Sequence, residues 1–175
     1  MLDIVKQVID FYFKTFSKPE LNDIKVNNKE LLKKTWSVFV TLYVNWLIRW
    51  SAWNIQKIKE NLVLELIENT FEALNDKRFK KINLEEKKNL KIRIDEIVNR
   101  WKPLADWEIK KINPSKSGVF VIKTDYTKAW VILPNISARL ITGSDFLPVL
   151  SKKLWEKFED KNYIVYKIET RVIEK

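Results

Sequence analysis

Two glycines in a chain of 175 residues leave few places where the backbone can turn left-handed freely or pass close against a ligand. Neither a glycine-rich phosphate loop nor a dinucleotide-binding fingerprint is present. The chain must therefore be read from the periodicity of its apolar residues. Residues 35–44, TWSVFVTLYV, are rich in β-branched and aromatic side chains and read as a strand covered on both faces. Residues 47–53, LIRWSAW, follow across the tight connection VNW as its hairpin partner.

Before that hairpin, Val5, Ile9, Tyr12, Phe13 and Phe16 recur at helical spacing, which predicts an amphipathic helix over residues 2–16 that ends before Pro19 and packs against a sheet. After it, Ile58, Leu62, Leu66, Thr70 and Leu74, flanked by Val63, Ile67 and Phe71, predict a second helix whose stripe is core rather than membrane surface. Asn83 and Glu86 have capping-box spacing, which places a helical turn in NLEEKK. In LKIRIDEIV, residues 90–98, Ile92 and Ile94 alternate with Lys91, Arg93 and Asp95, the pattern of a half-buried strand.

Gly118 is expected to give freedom to a turn ahead of a hairpin made of residues 119–123 and 130–133, closed off by Pro134. Leu147, Leu150, Leu154 and Phe158 predict a late helix, and YIVYKIETRVI a closing strand. Helices and strands without a regular βαβ alternation argue for an α+β fold, a mainly antiparallel sheet flanked by helices. A 46% apolar content supports a single domain over residues 1–175, with room for at most a small subdomain beside the main core.

Missing residues limit the chemistry. Without cysteine there is no disulfide, thiolate nucleophile or thiolate metal site, and without histidine the usual proton carrier near neutral pH is gone. Nothing in the sequence asks for a cofactor or a metal. Asp3 and Asp10 interrupt the amino-terminal apolar run, so it makes a poor export signal, and no stretch is long and apolar enough to span a bilayer. A soluble cytoplasmic protein with no membrane contact is expected. A formal net charge of +10 favours a polyanion or an anionic surface as partner.

Several segments, in order, resemble the AMMECR-type domain. Its glycine-led strand GVFVTL is similar to SVFVTL at residues 37–42. Its signature Leu-Arg-Gly-Cys-Ile-Gly falls on Ile48, Arg49, Trp50, Ser51, Ala52 and Trp53, and its Asp-Pro-Arg-Phe element on Asp76, Lys77, Arg78 and Phe79. Gly118, the strand ending at Pro134, a helix over residues 146–158 and the terminal strand complete the order, with Trp155 where many relatives carry a second cysteine. The resemblance implies the same α+β fold over nearly the whole chain but no settled activity. Here the signature glycines and cysteine are replaced by Trp50, Trp53 and Ser51, so a pocket in the family's central turn would be filled or reshaped.

Three residues are candidates for chemistry. Ser51 could act as a nucleophile only with a base, and no Ser-x-x-Lys or nucleophile-elbow pattern surrounds it. Arg49 could hold an anionic substrate with Asp76 moving a proton; strand alternation would set Arg49, Ser51 and Trp53 on one face and Trp50 on the other. The plainer reading makes Asp76 and Arg78 a local ion pair at a helix end.

For binding, the candidates are Arg49, Trp50, Trp53, Arg78, Trp101 and Trp107, facing a protein partner or an anionic ligand. Residues 71–117 carry 13 basic side chains against eight acidic ones, with Phe79, Trp101 and Trp107 interleaved, which also admits nucleic acid as a less favoured partner. Exposed aromatics could make a homodimer seam. The preferred reading is a noncatalytic binding or scaffold protein, with an unusual enzyme acting on an anionic small molecule as the alternative.

Overall fold

A computed structural model describes residues 1–45, 47–53, 59–105 and 108–174; the side chains at 49, 50, 53, 100–102 and 160 lie outside that description. The fold is α+β, with an antiparallel sheet flanked by helices. The elements run α1 (Leu2–Thr15), β1 (Val38–Val44), β2 (Leu47–Trp53), α2 (Leu62–Leu74), α3 (Leu84–Lys88), β3 (Leu90–Pro103), β4 (Gly118–Lys123), β5 (Ala129–Ile132), α4 (Phe146–Leu154) and β6 (Tyr163–Glu174). The hydrogen-bonded strand order is β2-β1-β3-β6-β4-β5. The chain divides into two compact units, Met1–Glu96 with Val172–Lys175, and Ile97–Arg171.

In the first unit β1 pairs antiparallel with both β2 and β3. One face of β1, Val38, Val40 and Leu42, joins Ile92 and Ile94 of β3 in a core closed by Val5 and Val8 of α1 and Leu62 and Leu66 of α2. α2 lies on β1 and β2, α1 packs on α2, and Val5 and Val8 of α1 share the buried core with the apolar face of the sheet, as expected for the first helix. The hairpin is as expected, Val44 pairing with Leu47 and Asn45 taking the left-handed conformation at φ 50°. Asn61 caps α2 by accepting from the Leu64 N–H, so this helix starts later than its stripe predicts; Ile58 lies outside the described residues. The capping box forms as read, Asn83 Oδ1 accepting from Glu86 N at 2.8 Å and Glu86 Oε2 from Asn83 N at 3.2 Å.

In the second unit β4 pairs antiparallel with β5 and β6. Val119, Val121 and Val165 from these strands pack with Phe146 and Leu150 of α4 and with Ile109. Gly118 corrects the sequence reading. It sits in the strand rather than at a turn, and a Cβ there would fall 2.1 Å from the Ile132 carbonyl oxygen. A Cβ at Gly143 would likewise fall 2.0 Å from the Ile109 carbonyl oxygen. Neither glycine has positive φ; that conformation falls to Phe16, Asn45, Tyr126, Asn135 and Trp155.

The two helix ends differ from prediction for this reason. α1 stops at Thr15 because Phe16 turns left-handed and swings into solvent, and α4 stops at Leu154 because Trp155 does the same. Phe158 is buried from the loop beyond α4 rather than from the helix. β3 also outruns its predicted end and hides residues read as solvent-facing. Arg93 is 5% exposed and Asp95 0%, because the neighbouring strand β1 is covered on both faces and β3 shares that cover. Among the described residues no helix is long and apolar enough to cross a membrane.

Candidate functional site

The residues that match the family's signature lie on β2, and the β1–β2 register decides how they are presented. Leu42 pairs with Trp50 and Tyr43 with Ile48, so Arg49 is the extra residue of a β-bulge. Strict alternation breaks there, and the expected grouping of Arg49 with Ser51 and Trp53 on one face does not follow. Trp50 holds the register position opposite Leu42, and Trp53 the one opposite Phe39. The side chains of Arg49, Trp50, Trp53 and Trp101, and Trp107 as a whole, lie outside the described residues.

Away from that core, the opposite face of β1 carries a polar row. Ser51 of β2, Thr41 of β1 and Arg93 of β3 are in register, with the Thr41 and Ser51 hydroxyl oxygens 3.5 Å apart. Arg93 donates to Asp95 through two parallel bonds, Nε to Oδ2 at 2.7 Å and Nη2 to Oδ1 at 2.8 Å, and its Nη1 lies 3.7 Å from Glu174. Burial opposes the Arg93 charge, but Asp95 more than offsets this and the guanidinium is held above its ordinary value. Burial likewise pushes the Tyr43 phenol up, against the pull of Arg93, which donates to it. On the apolar side α2 buries Glu65, Asn69 and Thr70. Asn69 donates to the Val38 carbonyl at 3.0 Å, and Glu65 accepts from the Lys59 backbone at 3.2 Å.

Asp76 and Arg78 form the ion pair anticipated from the sequence, with a third partner that was not. Arg78 Nε and Nη2 grip the Asp76 carboxylate at 2.9 and 2.7 Å, and Nη2 also donates to the Ser51 carbonyl at 3.2 Å. The Ser51 backbone N–H donates to Asp76. The pair thus takes up both polar groups of one residue on the edge strand β2, a position that otherwise exposes an unpaired backbone. Asn75, just before it, is fixed by Tyr12 Oη at 3.2 Å and by the Phe71 carbonyl at 2.8 Å.

Burial alone would raise the Asp76 carboxyl, but the Arg78 side chain and backbone hold it below the ordinary range. The same pairing, against a smaller opposing effect of burial, raises Arg78. A carboxylate so held does not take up a proton near neutral pH. Among the described residues no group of three or more aspartate and glutamate side chains is arranged to hold a metal. In the basic middle region Arg93 is buried with Asp95, Lys87 pairs with Asp10 at 2.7 Å, and Lys88 with Glu85 at 3.3 Å.

Sequence reasoning missed Thr41, Tyr43, Arg93, Asp95, Glu65 and Asn69. A usable signal existed for Arg93 and Asp95: a strand read as covered on both faces implies that its neighbour's polar face is covered too.

Residues 2–172 match the AMMECR1 family. The chain belongs to that family. It is similar in fold to the uncharacterized protein PH0010 of Pyrococcus horikoshii, whose crystal structure superposes with a TM-score of 0.82 at 22% identity, over 98% of this chain and 88% of that one. No curated protein matches. This AMMECR1 member lacks the family's conserved cysteine, and the Asp76–Arg78 clamp joins two segments that are 27 residues apart between Ser51 and Arg78.

Proposed function

We propose that this AMMECR1 member is a noncatalytic binding or scaffold protein of the cytoplasm, one functional domain over residues 1–175, with β2 and its flanking clamp as the face that meets a protein or anionic partner. The observation that carries this reading is the Asp76–Arg78 clamp on Ser51. Of the candidates for chemistry, Asp76 is paired and held ionised, and the Ser51 backbone is bound to the pair. Among the described residues the Ser51 hydroxyl has the Thr41 hydroxyl beside it. A proton-transferring Asp76, which the enzyme alternative requires, runs against its depressed carboxyl. Arg49, the extra residue at the bulge, and the neighbouring Trp50 and Trp53 are proposed as the partner-facing group, since bulges re-aim side chains beside sites.

The test is a panel of small carboxylates and phosphates read by tryptophan fluorescence, with substrate turnover followed on the same panel. The expected result is saturable binding that Arg49→Ala abolishes and Ser51→Ala leaves intact, without turnover. Turnover that disappears in Asp76→Asn or Ser51→Ala, in protein that remains folded, overturns the reading.

A further inference from the structure

Two exposed aromatic rings on the second unit stand where local energetics disfavour them. Trp155, just past α4, is 91% exposed at φ 57° and ψ 31°, and Tyr126, in the β4–β5 turn, is 75% exposed at φ 60°. A left-handed position after a helix suits glycine, and a bulky residue there usually gains an apolar contact with the last turn. The exposure of Trp155 rules out such a contact. Each ring therefore combines backbone strain with solvation of apolar surface, an observed outlier of the kind that collects at functional sites.

Both turns are also rigidly built. The Ser151 carbonyl accepts from the Trp155 and Glu156 N–H groups, and the Ser151 hydroxyl accepts from Phe158 N at 2.9 Å. In the other turn, Lys123 N–H donates to the Lys128 carbonyl at 2.8 Å, Tyr126 N–H to the Lys123 carbonyl at 2.8 Å, and Thr127 N–H to Asp125 at 2.9 Å. The turns are tied to each other. Lys128 Nζ donates to the Leu154 carbonyl at 2.8 Å, and both Lys128 and Lys123 bind the Glu156 carboxylate, which also accepts from Tyr163 at 2.5 Å. Trp155 and Tyr126 are thus presented from one braced scaffold.

We infer that Trp155 and Tyr126 form a stacking platform for unpaired bases of a single-stranded nucleic acid, with Lys152 and Lys153 in the last turn of α4 meeting its phosphates. Six lysines (123, 128, 152, 153, 157 and 161) stand against four acids (125, 156, 159 and 160) in the two segments, and Glu156 engages Lys123 and Lys128 while Glu159 engages Lys157 and Lys161. That excess of two is weak attraction for a duplex or an anionic bilayer, both of which depend on many basic contacts. It is enough where stacking supplies most of the affinity, because every base offers a ring face. Net positive charge on the same patch also disfavours a second copy of this chain as the occupant. The inference is independent of the β2 site and of the basic middle region.

The test titrates full-length protein into fluorescein-labelled oligothymidylate and oligouridylate of about 12 nucleotides, a length typical of such sites. Fluorescence anisotropy is read at low and high salt, with a duplex of equal length, anionic vesicles and sedimentation of the protein alone as the other arms. Trp155→Gly separates function from fold, since glycine relieves the left-handed strain. The expected result is saturable binding of either single strand, weaker duplex binding, and about a tenfold loss in Trp155→Gly. Its melting temperature should be unchanged or raised, and Tyr126→Asn should act similarly. No saturable binding at low salt overturns the inference, as does affinity indifferent to both substitutions. So does vesicle binding without oligonucleotide binding, or a dimer that Trp155→Gly dissociates.

Discussion

Two charged clusters, one in each unit, use the same chemistry under opposite conditions. Asp95 on β3 receives two bonds from Arg93 with no solvent access. Glu156 beyond α4 receives bonds from Lys123, Lys128 and Tyr163 while partly open to water. Lys128 first, then Tyr163 and Lys123, hold the Glu156 carboxyl down to about 2. The buried pair cannot lose one member without stranding the other's charge, whereas water and salt can replace what the exposed cluster loses. Similar contact lists therefore carry different energies, and the dielectric around them decides which is structural and which is adjustable.

Asp95→Ala should show the largest effect, because it leaves the Arg93 guanidinium buried without its bidentate partner at a cost of about 3–5 kcal/mol. Urea denaturation measures this, and a loss below about 1 kcal/mol would place the pair with ordinary surface bridges. Asp76→Ala should fall between the two clusters, at about 1–3 kcal/mol, since it releases Arg78 and leaves the Ser51 N–H without its acceptor. Amide exchange at Ser51 should quicken in that variant; unchanged exchange would mean that the clamp does not hold the strand edge.

Glu156→Gln should have the smallest effect at neutral pH and should sharpen the contrast in acid. The folded carboxyl titrates near 2 rather than at the ordinary 4.5, so its stabilisation is complete above 4.5 and is lost as the pH falls towards 2. The melting temperature of the wild type should drop through that window more steeply than that of the variant, and added salt should narrow the gap between them at neutral pH. Parallel curves would show that the cluster contributes no pH-dependent stability.

Much of the fold was legible. The hairpin of β1 and β2, the capping box at Asn83 and the β4–β5 pair follow from alternation, β-branching and cap chemistry, all of which act within a few residues. The ends of α1 and α4 were not, because side-chain periodicity carries no sign of φ: Phe16 and Phe158 continue their helical patterns although the backbone has left the helix at Phe16 and at Trp155. The candidate site was half legible. Asp76 and Arg78 were readable as a pair through their proximity in sequence, but their hold on Ser51 crosses 27 residues between Arg78 and Ser51. Arg49 was placed by an alternation that the bulge interrupts.

By itself the sequence determined the kinds of element, their order, the α+β class, and the absence of thiol and imidazole chemistry, since each depends on residue identity or on geometry within one segment. Tertiary structure alone decided that Arg93 and Asp95 are buried, that Gly118 and Gly143 serve close backbone approach rather than turning, and that the edge of β2 is closed by an ion pair. Burial and partnership are properties of neighbours in space. Local periodicity fixes which side chains share a face, but what covers that face comes from segments far away in the chain.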